Sequence, residues 1–223
     1  MQKIEKISQR KERIKKLVAK LKRMYPKPKS ELKYETNFQF VVAVILSAQC
    51  TDARVNGCTN ILFKTYKTPK DFAEARLEKL RIEISSVPFF RNKAKNIITA
   101  ARVVQEDFNG NVPRTIEELT TLPGVAYKTA NVVLGELYGI WAGIATDTHV
   151  RRFALRFDLT DNTDPTKISK DLEALTPKRD WKYVNNGFVL YGRYICPARQ
   201  HACDEHPLTR IWPPSGSRWP KAK

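Results

Sequence analysis

The chain has 223 residues, 42% of them hydrophobic, enough for one sizeable core or two smaller ones. Its 40 lysines and arginines against 23 acidic residues leave a formal charge of +17, which points to a polyanion partner, nucleic acid first and an anionic membrane surface second. No apolar run approaches the roughly 18–20 residues of a spanning helix, no signal-peptide pattern opens the chain, and the four cysteines, Cys50, Cys58, Cys196 and Cys203, do not make a secreted disulfide scaffold. A reducing intracellular compartment, cytoplasm or nucleoid, is the expectation.

Residues 1–30 hold twelve Lys/Arg and two Glu. Ile4, Ile7, Leu17, Val18, Leu21 and Met24 share one helical face, so an amphipathic helix should dock through them and show its basic side outward. Pro26-Lys27-Pro28 ends it. Residues 37–63 read as two mostly buried helices. Between them lies Ser47-Ala48-Gln49-Cys50-Thr51-Asp52, where Thr51 or Asp52 suits an N-cap. Gln49 has no structural reason to follow so apolar a helix unless it faces outward. Cys50 and Cys58 read as small core residues. Thr68-Pro69 starts a helix that should run to about Ile84. Phe89-Phe90 then stand in a loop followed by Arg91 and Lys93. Two rings beside cations suit a wedge whose basic neighbours hold phosphates, with Phe89 outward and Phe90 packed inward. A helix over 96–108 follows. Further helix starts fall at Asp147 and at Asp164-Pro165, and a last long helix spans 181–194. Beyond His206 the chain is basic and Pro-rich without an acidic residue, and reads as a loose tail. No stretch alternates with period two between turns, so the fold class is all-α.

The most informative stretch is Thr121-Leu122-Pro123-Gly124-Val125-Ala126-Tyr127-Lys128-Thr129-Ala130-Asn131. Thr115 and Glu118 have the spacing of a capping box, which starts a short helix that Pro123-Gly124 must end. Ala130, Val133, Leu134 and Leu137 then recur at helical spacing. In such a helix–hairpin–helix the first N–H groups of the second helix are unpaired and grip a phosphate, and Gly124 lets the phosphate come close. Leu122, Gly124 and Val125 are therefore candidate DNA contacts.

Leu122-Pro123-Gly124-Val125 with Lys128-Thr129-Ala130, followed by Ile144-Ala145-Thr146-Asp147-Thr148-His149-Val150, resembles the helix-hairpin-helix and Gly/Pro-rich-Asp motif of the endonuclease III family of DNA glycosylases. The resemblance extends through Leu46-Ser47-Ala48-Gln49-Cys50-Thr51-Asp52 and Leu190-Tyr191-Gly192-Arg193-Tyr194-Ile195-Cys196, and covers residues 17–203. It implies a two-lobed all-α fold with DNA in a cleft between the lobes: a six-helix lobe over 31–138, a second lobe from 1–30 plus 139–212, and a basic tail over 213–223. It also implies Lys128 on one wall and Asp147 on the other, Gln49 filling the gap left by an extruded base, Phe89 as the wedge, and Asp52 in the pocket.

Removing a base requires flipping the nucleotide out of the stack. A lysine nucleophile that attacks C1′ also forms a Schiff base with the opened sugar, which permits β-elimination of the 3′ phosphate. Near the positive end of a helix dipole an ammonium is disfavoured, and a carboxylate at another helix start stabilises the positive sugar. On spacing alone Lys128 reads as a phosphate contact and Asp147 as an N-cap; the resemblance assigns both to catalysis. It implies a bifunctional glycosylase and abasic-site lyase acting on oxidised pyrimidines, with damaged double-stranded DNA as partner, no membrane, and a monomeric state. A monofunctional mismatch or adenine-type glycosylase and a non-catalytic DNA-binding module stay open beside it.

Family members often end in Cys-x6-Cys-x2-Cys-x5-Cys, which holds a four-iron cluster. Here those positions are Cys196, Cys203, His206 and Trp212. Two thiolates are missing, so no cluster is expected. Cys196, His201, Cys203 and His206 are chemically suited to zinc, against a metal-free loop held by packing of Trp212 and Tyr194.

Overall fold

The computed structural model describes residues 2–219. Every regular element in them is helical, with no strand, and no helix is long and apolar enough to cross a membrane. The described residues form two compact units, one from Ser30 to Ile140 and the other from residues 2–29 together with residues 141–219.

The Ser30–Ile140 unit is built around α2 (Asn37–Ser47), whose residues Phe38 to Leu46 are all buried. A helix apolar on every side must be surrounded, and α3 (Asp52–Thr65), α6 (Phe90–Phe108) and α8 (Tyr127–Tyr138) pack on it. Its one buried polar side chain is satisfied: Gln39 Oε1 accepts from the Glu35 and Thr36 amides, and Nε2 donates to the Tyr66 carbonyl at 3.2 Å. The single helix expected from Thr68 to Ile84 is two, α4 (Pro69–Ala73) and α5 (Leu77–Glu83). On one straight helix Leu80 would sit about 80° around from Phe72; the break turns Phe72, Leu80 and Ile84 all into the core. The Phe72 ring lies against Phe38, Phe63 and Tyr66. The short α7 (Ile116–Leu119) is capped by Thr115 and leads into the hairpin before α8.

The second unit packs α1 (Gln2–Met24) with α9 (Thr148–Arg156), α10 (Pro165–Leu175) and α11 (Phe188–Tyr194), the last preceded by a π-helical turn over Tyr183–Gly187. Ile14, Leu17, Leu21, Phe153, Phe157 and Phe188 form its centre. Gly192 lets α11 lie directly on α9, since a Cβ there would stand 2.2 Å from His149 Nδ1 and 3.0 Å from the Phe153 ring. Two expectations fail here. Ile4 and Ile7 do not dock; they are exposed. The first turns of α1 are held instead by charge, because Arg10 donates to Asp158 Oδ1 at 3.0 Å and to Asp161 Oδ1 at 2.7 Å, with Lys6 also on Asp161. The loose tail expected after His206 is also ordered as far as the description goes: Leu208 and Ser215 are fully buried, and Pro213–Gly216 is a 3-10 turn. The last residues of the expected tail, 220–223, lie outside the described residues.

Hydrogen bonds from Arg10 and Lys6 hold the Asp161 carboxyl down to about 2, from an ordinary 3.8. A depressed carboxylate stabilises the fold above its unfolded value and loses that contribution as pH falls through its folded one. The stability difference between the parent and Asp161→Asn, followed by urea unfolding, should therefore be full at neutral pH and vanish between about pH 4 and pH 2. Because Asp161 is largely exposed, it should be modest at every pH.

Candidate active site

Three segments of the Ser30–Ile140 unit meet at one place. The first is the turn after α2. Gln49 is exposed there with φ of 54°, a left-handed conformation rare for a residue with a side chain. The second is the start of α6, where Phe89 is 62% exposed with φ of 59°. Strain of about 1–3 kcal/mol at each such residue persists only when the surroundings impose it. Lys93 imposes it. Its side chain is buried, and Nζ donates to the Leu46 carbonyl at 2.8 Å and the Ala48 carbonyl at 2.7 Å, while its own amide closes onto Phe89 O at 3.1 Å. One ammonium thus ties the backbone just before Gln49 to the helix turn that begins at Phe89. Burial holds Lys93 below the usual lysine range. Lys93 is therefore not the exposed phosphate contact that its loop position suggested. Phe90 packs partly against the core, as expected, with the Arg91 guanidinium over its ring.

The third segment is the hairpin. Gly124 has φ of 87°, and a Cβ on it would stand 3.1 Å from Asn96 Nδ2 and 3.4 Å from Ile45 Cγ2. The missing side chain faces α6 and α2, so glycine serves to seat the hairpin on the protein rather than to admit a phosphate. Leu122 and Val125 bury their side chains, and their amides are spent on the carbonyls of Leu119 and Leu122. Neither is the open donor that the sequence suggested. No side chain caps α8, whose N-cap is Ala126. The amides of Gly124, Ala126, Tyr127 and Lys128 have no partner among the described residues. Lys128 is exposed in the first turn of α8 and pairs with no carboxylate among the described residues. Thr51, rather than Asp52, caps α3, its hydroxyl accepting from the Arg54 amide at 3.4 Å; Asp52 is the first helical residue and half-buried.

In the other unit, Asp147 caps α9. Its Oδ1 accepts from the Val150 amide at 2.8 Å, and the residue is half-buried. The cap uses one carboxylate oxygen, and Oδ2 carries no hydrogen bond among the described residues.

The chain is similar to known proteins. Residues 42–178 match the model of the HhH-GPD superfamily base excision DNA repair proteins. The chain belongs to that family. Over 210 residues it is 45% identical to Endonuclease III of Synechocystis sp. (strain ATCC 27184 / PCC 6803 / Kazusa), across 94% of this chain and 96% of that protein. A solved non-covalent Endonuclease III–DNA complex is 37% identical, with a TM-score of 0.84 over 92% of this chain and 96% of the other. A trapped Endonuclease III–DNA covalent intermediate, an estranged-adenine complex, is 38% identical, with a TM-score of 0.83 over 90% and 94%.

The four-thiolate loop that the family resemblance brings to mind is not what the C-terminal residues build. Cys196 and Cys203 are buried, but His206 and Trp212 stand in place of the other two ligands, and the Arg156 guanidinium reaches in beside both sulfurs. Arg156 is 1% exposed. It donates to Cys196 Sγ at 2.9 Å, to Cys203 Sγ at 3.0 Å and to the Ser215 carbonyl at 2.7 Å, and lies 3.8 Å from the Trp219 ring. A cubane with four sulfur ligands does not fit this donor set. What the loop does bring together is Cys196, His201 and His206, whose donor atoms lie within 4.8 Å of one another and form a group able to hold a metal ion. Trp212 packs on the unit's core with the Arg13 guanidinium over its ring, and Tyr194 is 66% exposed. Sequence reasoning missed Arg156 altogether. Its one visible signal is its place three residues after Phe153, on the buried face of α9.

Lys93→Met keeps the aliphatic stem and removes the ammonium. It leaves two carbonyls without their donor, so urea unfolding should show a loss of about 2–3 kcal/mol; a variant as stable as the parent would show that the bridge contributes nothing.

Proposed function

We propose that this chain is a bifunctional DNA glycosylase and abasic-site lyase that removes oxidised pyrimidines from double-stranded DNA in base excision repair. The observation that carries the reading is Lys128, an exposed primary amine in the first turn of α8, directly behind a hairpin whose free amides stand ready for a phosphate. The relatives named Endonuclease III support it, as does the existence of a trapped covalent intermediate between one such protein and DNA. A covalent protein–DNA species is what amine attack on a sugar produces.

The damaged nucleotide leaves the stack, and Gln49 and Phe89 fill the space it vacates. The amides of Gly124, Ala126 and Tyr127 hold the phosphate backbone without reading sequence. The Lys128 amine forms a bond to C1′ as the C1′–N bond breaks, and the electron pair leaves with the base, which takes up a proton. Loss of a proton from the new secondary amine and opening of the C1′–O4′ bond give the Schiff base. Removal of a C2′ proton then expels the 3′ phosphate. The Asp147 carboxylate offsets the positive charge that develops on the sugar, and Asp52 lines the pocket. Four free thiols suit a reducing intracellular compartment. We assign no four-iron cluster to this chain, because its donor set supplies two thiolates of the four.

Borohydride reduction of the protein with an abasic duplex should give a covalent adduct in the parent and none in Lys128→Ala. No adduct in the parent would leave only a DNA-binding protein. Asp147→Asn should lower single-turnover base release by on the order of 10²–10⁴-fold while duplex affinity changes little; equal loss of both would make Asp147 a helix cap and nothing more.

A further inference from the structure

We propose that the C-terminal loop binds a single zinc ion through Cys196 Sγ, His201 Nε2 and His206 Nδ1. One donor atom from each of these three residues already lies within 4.8 Å of those of the other two. On a tetrahedral zinc ion such atoms stand about 3.5 Å apart, so small side-chain rotations close the site.

Two observations beyond proximity point to a ligand. First, His201 Nε2 and His206 Nδ1 are both buried, and neither has a hydrogen-bond partner among the described residues. A buried polar atom without a partner is destabilising, and here two of them belong to residues grouped with a thiol. Second, a neighbouring carbonyl sets the tautomer of the neutral His201 ring. Its Nδ1 lies 2.6 Å from the Arg199 carbonyl, and a carbonyl only accepts, so Nδ1 carries the hydrogen. Nε2 is then left with a free lone pair in the neutral ring. A backbone carbonyl holding the remote N–H of a metal-ligating imidazole is the usual outer support of zinc sites.

The sulfur side is prepared as well. Zinc binds the thiolate, and binding converts the buried Cys196 thiol to that form, its proton going to solvent. Arg156 donates to this sulfur at 2.9 Å. It is a buried guanidinium whose hydrogen bonds go to two sulfurs and a backbone carbonyl. A metal-bound thiolate gives it a negative partner. Cys203 does not belong to the ligand set. Its sulfur accepts from Arg156 NH2 at 3.0 Å, and it lies outside the group of converging donors. With three protein ligands, water completes the coordination. The site lies on the chain that covers α9 and involves none of the residues assigned to base removal, so it stands or fails independently of the proposed activity.

The full chain is purified, stripped with a chelator, and titrated with zinc or cobalt(II). One zinc per chain by elemental analysis supports the site, as does a thiolate-to-cobalt charge-transfer band in the near ultraviolet. The stripped chain should melt several degrees below the zinc-loaded one. His201→Ala and His206→Ala should each lower zinc affinity by at least tenfold, Cys196→Ser should abolish the charge-transfer band, and Cys203→Ser should retain zinc. Absence of the cobalt band in the unmodified chain overturns the proposal without recourse to any variant. Four irons per chain, or unchanged zinc affinity in the histidine variants, overturns it too. Loss of zinc in Cys203→Ser would overturn the three-ligand assignment.

Discussion

A single buried ammonium organises the surface on which the proposed chemistry depends. The side chains of Gln49 and Phe89 are useful only if they stand out from the protein, and both do so from a left-handed backbone that neither residue favours. The Lys93 bridge to Leu46 and Ala48 holds the first in place, and the helix that Lys93 helps to start holds the second. The two hydrogen bonds of this charged donor contribute about 2–3 kcal/mol together, the same scale as the strain they offset. The hairpin is seated on the same ground, since Gly124 lies against Asn96, one turn beyond Lys93, and against Ile45 of α2.

The other unit repeats the device with a different cation. Arg156 is almost as deeply buried as Phe153 and Ala154 of the same helix, and its planar fork reaches the sulfurs of Cys196 and Cys203 and the carbonyl of Ser215 at once. A guanidinium suits that task because it presents several donors in fixed directions. The result is that the segment after α11 folds back over α9 although it contains almost no regular structure. Arg10 plays a smaller version of the same part, fastening the first turns of α1 to Asp158 and Asp161.

The division of labour at the hairpin follows from geometry. Leu122 and Val125 are spent on packing and on closing the turn, which leaves the amides of Gly124 and of the first residues of α8 as its free donors. An uncapped helix start offers these donors and a favourable dipole to a phosphate, and it sets the Lys128 amine one residue past the N1 position. The cap role of Asp147 does not preclude the proposed catalytic one, because the Val150 amide occupies one carboxylate oxygen and leaves the other.

Local patterns sufficed for much of this. Period and capping placed most of the helices, the Pro-Gly break placed the hairpin, and four motifs in order named the family and with it Lys128 and Asp147. The same patterns failed wherever a long polar side chain chose between solvent and interior. Lys93 and Arg156 look like surface cations in the chain, and Ile4 and Ile7 look like docking residues. Which of them is buried depends on carbonyls, sulfurs and carboxylates tens of residues away, at Leu46, Cys196 and Asp158, and no local periodicity carries that information. The amino-acid sequence by itself therefore determined most of the helices and the family. Only the tertiary structure decided which charges are fasteners and which are tools, because a buried cation is tolerated only where distant acceptors converge on it.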